Sequence, residues 1–108
     1  MSGGIQQIVT IPGGVTMIGE YLFASCDFLQ SVTIEEGITA IGKTAFFDCD
    51  SLRTVTLPKS LTSIGNDAFG LCNSLTDIWY GGSKTDFDTI TIGSSNKYLI
   101  NANWHYGK

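Results

Sequence analysis

Three consecutive stretches of this chain, Ile18 to Ala40, Ile41 to Ser63 and Ile64 to Asp86, carry Ile, Gly, Phe, Cys and Leu at the same five places. The copies lie 23 residues apart, as Thr16 and Thr39 beside them also do. In the middle stretch the five are Ile41, Gly42, Phe46, Cys49 and Leu52. A unit of this length cannot bury its apolar side alone, and it does so by stacking on copies of itself. The repeat therefore predicts a solenoid, built of ladders in which like residue lies over like.

Within each unit the spacing Leu52-x-x-Val55-x-Leu57 alternates apolar and polar positions, the pattern of a short strand with one buried face. It recurs as Leu29-x-x-Val32-x-Ile34 and Leu75-x-x-Ile78-x-Tyr80. A second apolar pair, Leu61 and Ile64, recurs as Ile38 with Ile41 and Val15 with Ile18, and predicts a second short extended segment. Gly19, Gly42 and Gly65 follow, where a reversal tolerates no side chain or needs positive φ. A brief helical turn is then expected to present Phe23, Phe46 and Phe69 inward. Asp27, Asp50 and Asn73 come next, residue types that cap turns.

The core ladders expected are Val9, Val32, Val55, Ile78; Ile18, Ile41, Ile64; Phe23, Phe46, Phe69; and Leu29, Leu52, Leu75, at the ~4.8 Å spacing of paired strands. Residues 1–17 read as a truncated first coil, 18–80 as the three repeats and 81–108 as a C-terminal cap, all within one domain. The cap begins at the Gly81-Gly82 turn. Ser83 and Asp86 have the spacing of a capping box, with Phe87 and Ile90 facing the last coil from the helix it starts. Tyr98 to Ile100 and Trp104-x-Tyr106 supply further apolar segments.

Composition sets limits on function. The net charge is −4, and the six basic residues are scattered, leaving no basic patch for nucleic acid. No apolar run approaches the ~20 residues of a membrane-spanning helix, so membrane insertion is not expected. MSGGIQQIV lacks the charged and apolar regions of an export signal.

The progression Ile-Gly, Ala-Phe, Cys, Leu and Val-Thr-Leu-Pro over residues 9 to 80 resembles the BspA-like leucine-rich repeats of bacterial surface proteins. The segment from Ile78 to Tyr106 is similar to the close of many of them, a short helix and a last strand. The resemblance implies an α/β repeat fold: a right-handed solenoid with parallel strands on its concave face, short second strands, helical turns and a small helix-plus-strand cap. It also implies a secreted or cell-surface module used in adhesion. The chain is shorter than most such proteins and shows no signal peptide.

No catalytic set is legible. Cys26, Cys49 and Cys72 fall in one ladder, which keeps thiols parallel, whereas zinc ligands come as close-spaced converging pairs. They are expected to fill a buried slot. His105 has no nucleophile beside it in sequence and reads as a residue of the last strand. Asp27 and Asp50, with Asn73, fall short of the oxygens a calcium ion takes. Neither a metal nor a cofactor is implied.

The outward positions of the long strands are mostly small and polar, and Gln30, Thr33, Arg53, Thr56, Asp77 and Trp79 form the candidate partner-binding face. Trp79 stands where other coils have Thr, either as a contact residue or packed under the cap helix. The function expected is non-enzymatic binding of a protein or cell-surface glycan. A structural alternative is homodimer formation through the edge strand Ile8, Val9, Thr10 and Ile11.

Overall fold

The structure, a computed structural model, describes residues 7–107. The alternating positions become two parallel sheets. One contains β1 (Gln7–Ile11), β3 (Leu29–Ile34), β5 (Thr54–Leu57), β7 (Asp77–Tyr80) and β9 (Asn103–His105), neighbours in that order. The other contains β2 (Met17–Ile18), β4 (Ala40–Ile41), β6 (Ser63–Ile64) and β8 (Thr91–Ile92). Like stands over like: Val9 pairs with Val32, Val32 with Val55 and Val55 with Ile78, while Ile18 pairs with Ile41 and Ile41 with Ile64.

The ladders form the core. Phe46 and Phe69 are fully buried, and the rings of Phe23, Phe46 and Phe69 stack at 5.2 and 5.1 Å with tilts of only 6° and 8°. Val9, Phe23 and Leu75 are half-buried and pack against the core from its margins.

The third side of each coil differs from the helical turn expected of it. It is a run of tight turns with two residues in the left-handed region, Tyr21 and Ser25 in one coil, Thr44 and Asp48 in the next, Asp67 and Leu71 in the third. Such backbone costs on the order of 1–3 kcal/mol per residue unless the surroundings hold it. Here a third hydrogen-bond ladder holds it: the Thr44, Phe46 and Asp48 amides donate to the Asn66, Ala68 and Gly70 carbonyls of the next coil at 3.0, 2.7 and 2.8 Å. The intervening Ala45 and Phe47 amides bond locally, to Gly42 and Thr44. Alternate amides thus serve the coil and the stack in turn.

The repeated glycine answers to close approach. None of Gly19, Gly42 and Gly65 has positive φ. A Cβ on Gly42 would meet the Ile18 carbonyl at 2.8 Å and one on Gly65 the Lys43 amide at 2.5 Å, while Gly19, with no described coil before it, has open space. The turn-capping bonds expected of Asp27, Asp50 and Asn73 are not seen among the described residues. The amide each would serve is already bonded, since Leu29, Leu52 and Leu75 donate to the carbonyls of Cys26, Cys49 and Cys72. Asp50 instead lies near Asp48, and the neighbouring carboxyl pushes its pKa up.

The C-terminal segment caps the stack by continuing it. Ser63 pairs with Thr91 and Asp77 with Asn103, in each case farther along the chain than one repeat. The extra length holds α1 (Lys84–Phe87), opened by the expected capping box: Ser83 Oγ accepts from the Asp86 amide, and Asp86 Oδ2 accepts from the Ser83 amide at 2.9 Å. Phe87 lies against Trp104 at 4.6 Å and Ile90 is buried. A second short helix, α2 (Lys97–Ile100), takes the place of the turn segment and buries Leu99.

One side chain joins this irregular coil to the regular ones. In the first two coils the Phe23 and Phe46 amides donate to the carbonyls of Ala45 and Ala68. At Phe69 the acceptor is the Oδ1 of Asn96, at 2.9 Å. The same amide group donates through Nδ2 to the carbonyls of Gly65, Gly93 and Ser94 at 3.1, 3.0 and 3.3 Å. Asn96 is 2% exposed, and every hydrogen bond its side chain makes is to backbone.

Candidate functional site

The first sheet turns one face to the core and the other outward, and the outward face places side chains in columns along the stack. Register puts Thr10, Thr33, Thr56, Trp79 and His105 in one column, and Ser31, Thr54, Asp77 and Asn103 in the next. The early part is a plain hydroxyl surface: Thr54 Oγ1 donates to Ser31 Oγ at 2.9 Å. Gln30 and Arg53 stand at the strand openings, where the Arg53 amide donates to the Gln30 carbonyl. Arg53 is exposed, and among the described residues its guanidinium joins no ion pair.

The column changes character at β7 and β9. Trp79 and His105 stack with ring centroids 3.8 Å apart and planes 14° from parallel. His105 Nε2 lies 2.8 Å from Asp77 Oδ1, and Thr76 Oγ1 donates to Asp77 Oδ2 at 2.9 Å. Both carboxylate oxygens are therefore engaged. The hydrogen bond from His105, then that from Thr76, holds the Asp77 carboxyl below the usual range for aspartate. When the imidazole is neutral, Nε2 carries the proton toward Asp77, which makes Nδ1 the acceptor nitrogen.

Parallel pairing thus brings together Asp77, Trp79 and His105, although Asp77 and His105 are 28 residues apart. Sequence reading names the first two and places His105 only on the last strand. Trp79 is half-buried, and its partner is His105. The aromatics with a ring contact to α1 are Trp104 and Tyr106, both through Phe87. Gln30, Thr33 and Thr56 share the face, farther toward the N-terminus. The Trp79–His105 pairing follows once β9 is put in register. The signal for that register is Ile92-Gly93, a fourth copy of the Ile-Gly pair, displaced by the residues that form α1.

Of the other candidates, the β1 edge shares the N-terminal end of this face through Ile8 and Thr10, and the cysteines stand apart from it. Ile8 and Thr10 of β1 are exposed, Val9 is half-buried and Ile11 is buried, with β1 at the edge of its sheet. The Cys49 and Cys72 thiols donate to the carbonyls of Phe23 and Phe46 at 3.1 and 3.0 Å. Both are fully buried, and Cys72 is pushed well above the usual thiol range by its hydrogen bonding with Cys49 and by burial. Burial also pushes Cys26 up. Cys49 is drawn the other way, below the usual thiol range, by its hydrogen bonding with Cys72, so it is packing and the bonds to backbone carbonyls, not a common shift, that mark this ladder as slot-filling. Among the described residues no group of three or more His, Cys, Asp or Glu is arranged to hold a metal ion, and no helix is long and apolar enough to cross a membrane.

Stacked coils of one repeat each, with one strand per coil on a common face, define a leucine-rich-repeat solenoid. The BspA type leucine rich repeat region matches residues 4–102 in six copies, and the chain belongs to that family. Among solved structures it is similar to a leucine-rich cell surface protein from Faecalibacterium prausnitzii A2-165, at 25% identity and a TM-score of 0.52. That likeness covers 80% of this chain and 35% of the other, so the chain spans about a third of the length of the structure it matches. No curated protein matches it.

Proposed function

We propose that this chain is a non-enzymatic interaction module of a cell-surface protein, binding a protein or glycan ligand through the outward face of the five-stranded sheet. The observation that carries this reading is the Asp77–His105–Trp79 cluster at the C-terminal end of a face that is otherwise small and hydroxylic. Trp79, held by stacking, and the exposed Arg53 one coil away are of the residue types enriched at binding hot spots, and the Asp77 carboxylate beside them is held by two hydrogen bonds. Because the cluster is already ordered, little side-chain freedom is lost on binding. Gln30, Thr33, Thr56 and Thr76 supply the polar surround. The family and the surface protein it resembles support a setting outside the cell.

The test is to replace Arg53 and Trp79 together by Ala and to measure binding to immobilised extracellular-matrix proteins and to a glycan array. Loss of a ligand that the unaltered chain retains, with the thermal transition kept, supports the assignment and shows whether the ligand is protein or glycan. Unchanged binding to every ligand overturns it.

A further inference from the structure

The first coil as it folds, residues 7–28 with β1, β2 and the turns that follow, carries six large apolar side chains between 48 and 79% exposed: Ile8, Val15, Met17, Tyr21, Leu22 and Phe28. Val15 has an ordinary explanation, since its counterparts Ile38 and Leu61 are buried and stacking would cover it too. The other five do not. Where Ile8 stands, the inner coils have Ser31, Thr54 and Asp77. Met17 corresponds to Ala40 and Ser63, Tyr21 to Thr44 and Asp67, Leu22 to Ala45 and Ala68, and Phe28 to Ser51 and Ser74. A coil that merely lacked a neighbour would expose the residues its copies have, whereas this one has larger, apolar ones.

Those substitutions also bear on what can cover the face. Ala45 and Ala68 are fully buried, so the column between two stacked coils has the width of a methyl group. Leu22 does not fit such a column, and a regular coil of this repeat is therefore the wrong occupant.

We propose that the first coil is an interface for a second copy of this chain, joined end to end about a two-fold axis. With ~150–250 Å² of surface to a large side chain, the exposed fractions amount to roughly 700 Å² per copy, close to the ~800 Å² per partner of a standard stable interface. The face is charge-poor: Glu20 and Asp27 are the only charged side chains in residues 1–28. It therefore selects no oppositely charged partner, and it meets its own copy with little repulsion. Phe28 also projects at the rim of a recess lined by Val9, Phe23, Cys26 and Leu29, with Gln7, Ser25 and Asp27 at its polar edge, a place for the Phe28 of the copy. A two-fold axis brings β1 against its copy antiparallel, which pairs the backbone groups that an edge strand leaves open. The interface extends the edge-strand expectation from Ile8–Ile11 to the whole coil; through Ile8, which heads the outward column of Ser31, Thr54 and Asp77, it meets the N-terminal end of the outward sheet face, at the opposite end from Trp79 and His105.

Sedimentation velocity from micromolar to near-millimolar chain tests this. The expected result is a concentration-dependent dimer, weakened at least ten-fold by Leu22→Ala combined with Phe28→Ser, the residues the inner coils carry at those places. Trp79→Ala, at the other end, should leave the dimer intact. If the first pair of changes unfolds the chain, Ile8→Ser with Met17→Ser, again residues of inner coils, gives the same reading. A monomer at every concentration overturns the proposal, and so does a dimer that survives both pairs of changes or is lost with Trp79→Ala.

Discussion

At the C-terminal end the ladders pass into a coil of different length, and Asn96 supplies the bond that a backbone carbonyl makes elsewhere. At the N-terminal end Phe23 has a stacked ring on one side only, and the residues around it are large and exposed. The contrast separates two requirements that coincide inside the stack. Backbone groups must be bonded, and apolar side chains must be covered. The C-terminal coil meets the first within the chain and, Leu71 and Ile100 aside, the second as well, while the N-terminal coil leaves six large apolar side chains exposed.

The largest effect expected comes from the ring ladder. Phe46 is fully buried between two rings, so Phe46→Ala should cost ~3–5 kcal/mol by leaving a cavity. Phe23→Ala, half-buried and with one ring neighbour, should cost on the order of 1–3 kcal/mol. Urea denaturation of both variants checks the pair. Equal costs would mean that the first coil's ring is already covered, and the contrast between the ends would be lost.

Next comes Asn96. Asn96→Ala removes the acceptor of the buried Phe69 amide, and an unsatisfied buried donor costs ~1–3 kcal/mol. Asn96→Asp keeps the acceptor but turns a carboxylate toward the three carbonyls that Nδ2 now serves, so it should destabilise at least as much at neutral pH. Thermal melts rank the two. If Asn96→Asp proved milder, the bonds from Nδ2 would not be what fastens the cap.

A smaller difference is expected at the repeated glycine. Gly65→Ala forces a Cβ onto the Lys43 backbone and should cost ~1–3 kcal/mol as overpacking does. Gly19→Ala meets nothing and should be neutral, or stabilising by up to ~1 kcal/mol through the unfolded chain. In a dimer that seats a second copy close to Gly19, the substitution would instead lower self-association, which makes this residue a gauge of how far the interface reaches.

The ladders are legible in sequence because stacking makes period and spatial register the same thing: Val9, Val32 and Val55 are neighbours since they are one repeat apart. What escapes reading is where that identity fails. The fourth Ile-Gly, at Ile92-Gly93, is displaced by α1, so β8 and β9 read as part of a cap rather than a coil, and the meeting of Trp79 with His105 is hidden. Left-handed backbone at Thr44 and Asp48 escapes too, because it is imposed by bonds to the next coil and not by glycine. Asn96 reads as a loop residue. Its role exists only once Phe69 needs an acceptor that the irregular coil cannot supply from backbone.

Acid should act on the two ends unequally. The carboxyl of Asp77 is held below its usual range by His105 and Thr76, and that of Asp86 by its bonds with Ser83. A carboxyl with a folded-state pKa below the unfolded value stabilises the fold above the unfolded value, ~3.9 for aspartate. That contribution is lost as pH falls through the lower, folded-state value. Both groups lie in the last coil and its cap, whereas among residues 7–28 neither Glu20 nor Asp27 makes a side-chain hydrogen bond to a partner in the structure. Below about pH 4 amide exchange should therefore quicken first in β7, β9 and α1, with β2 and β4 still protected. Asp77→Asn keeps an oxygen for Thr76 but cannot ionise, so the acid sensitivity of β7 and β9 should shrink while that of α1, set by Asp86, stays. If β1 and β2 opened before β9 in acid, the N-terminal end would be the one held by charge, and the assignment of the two ends would have to be reversed.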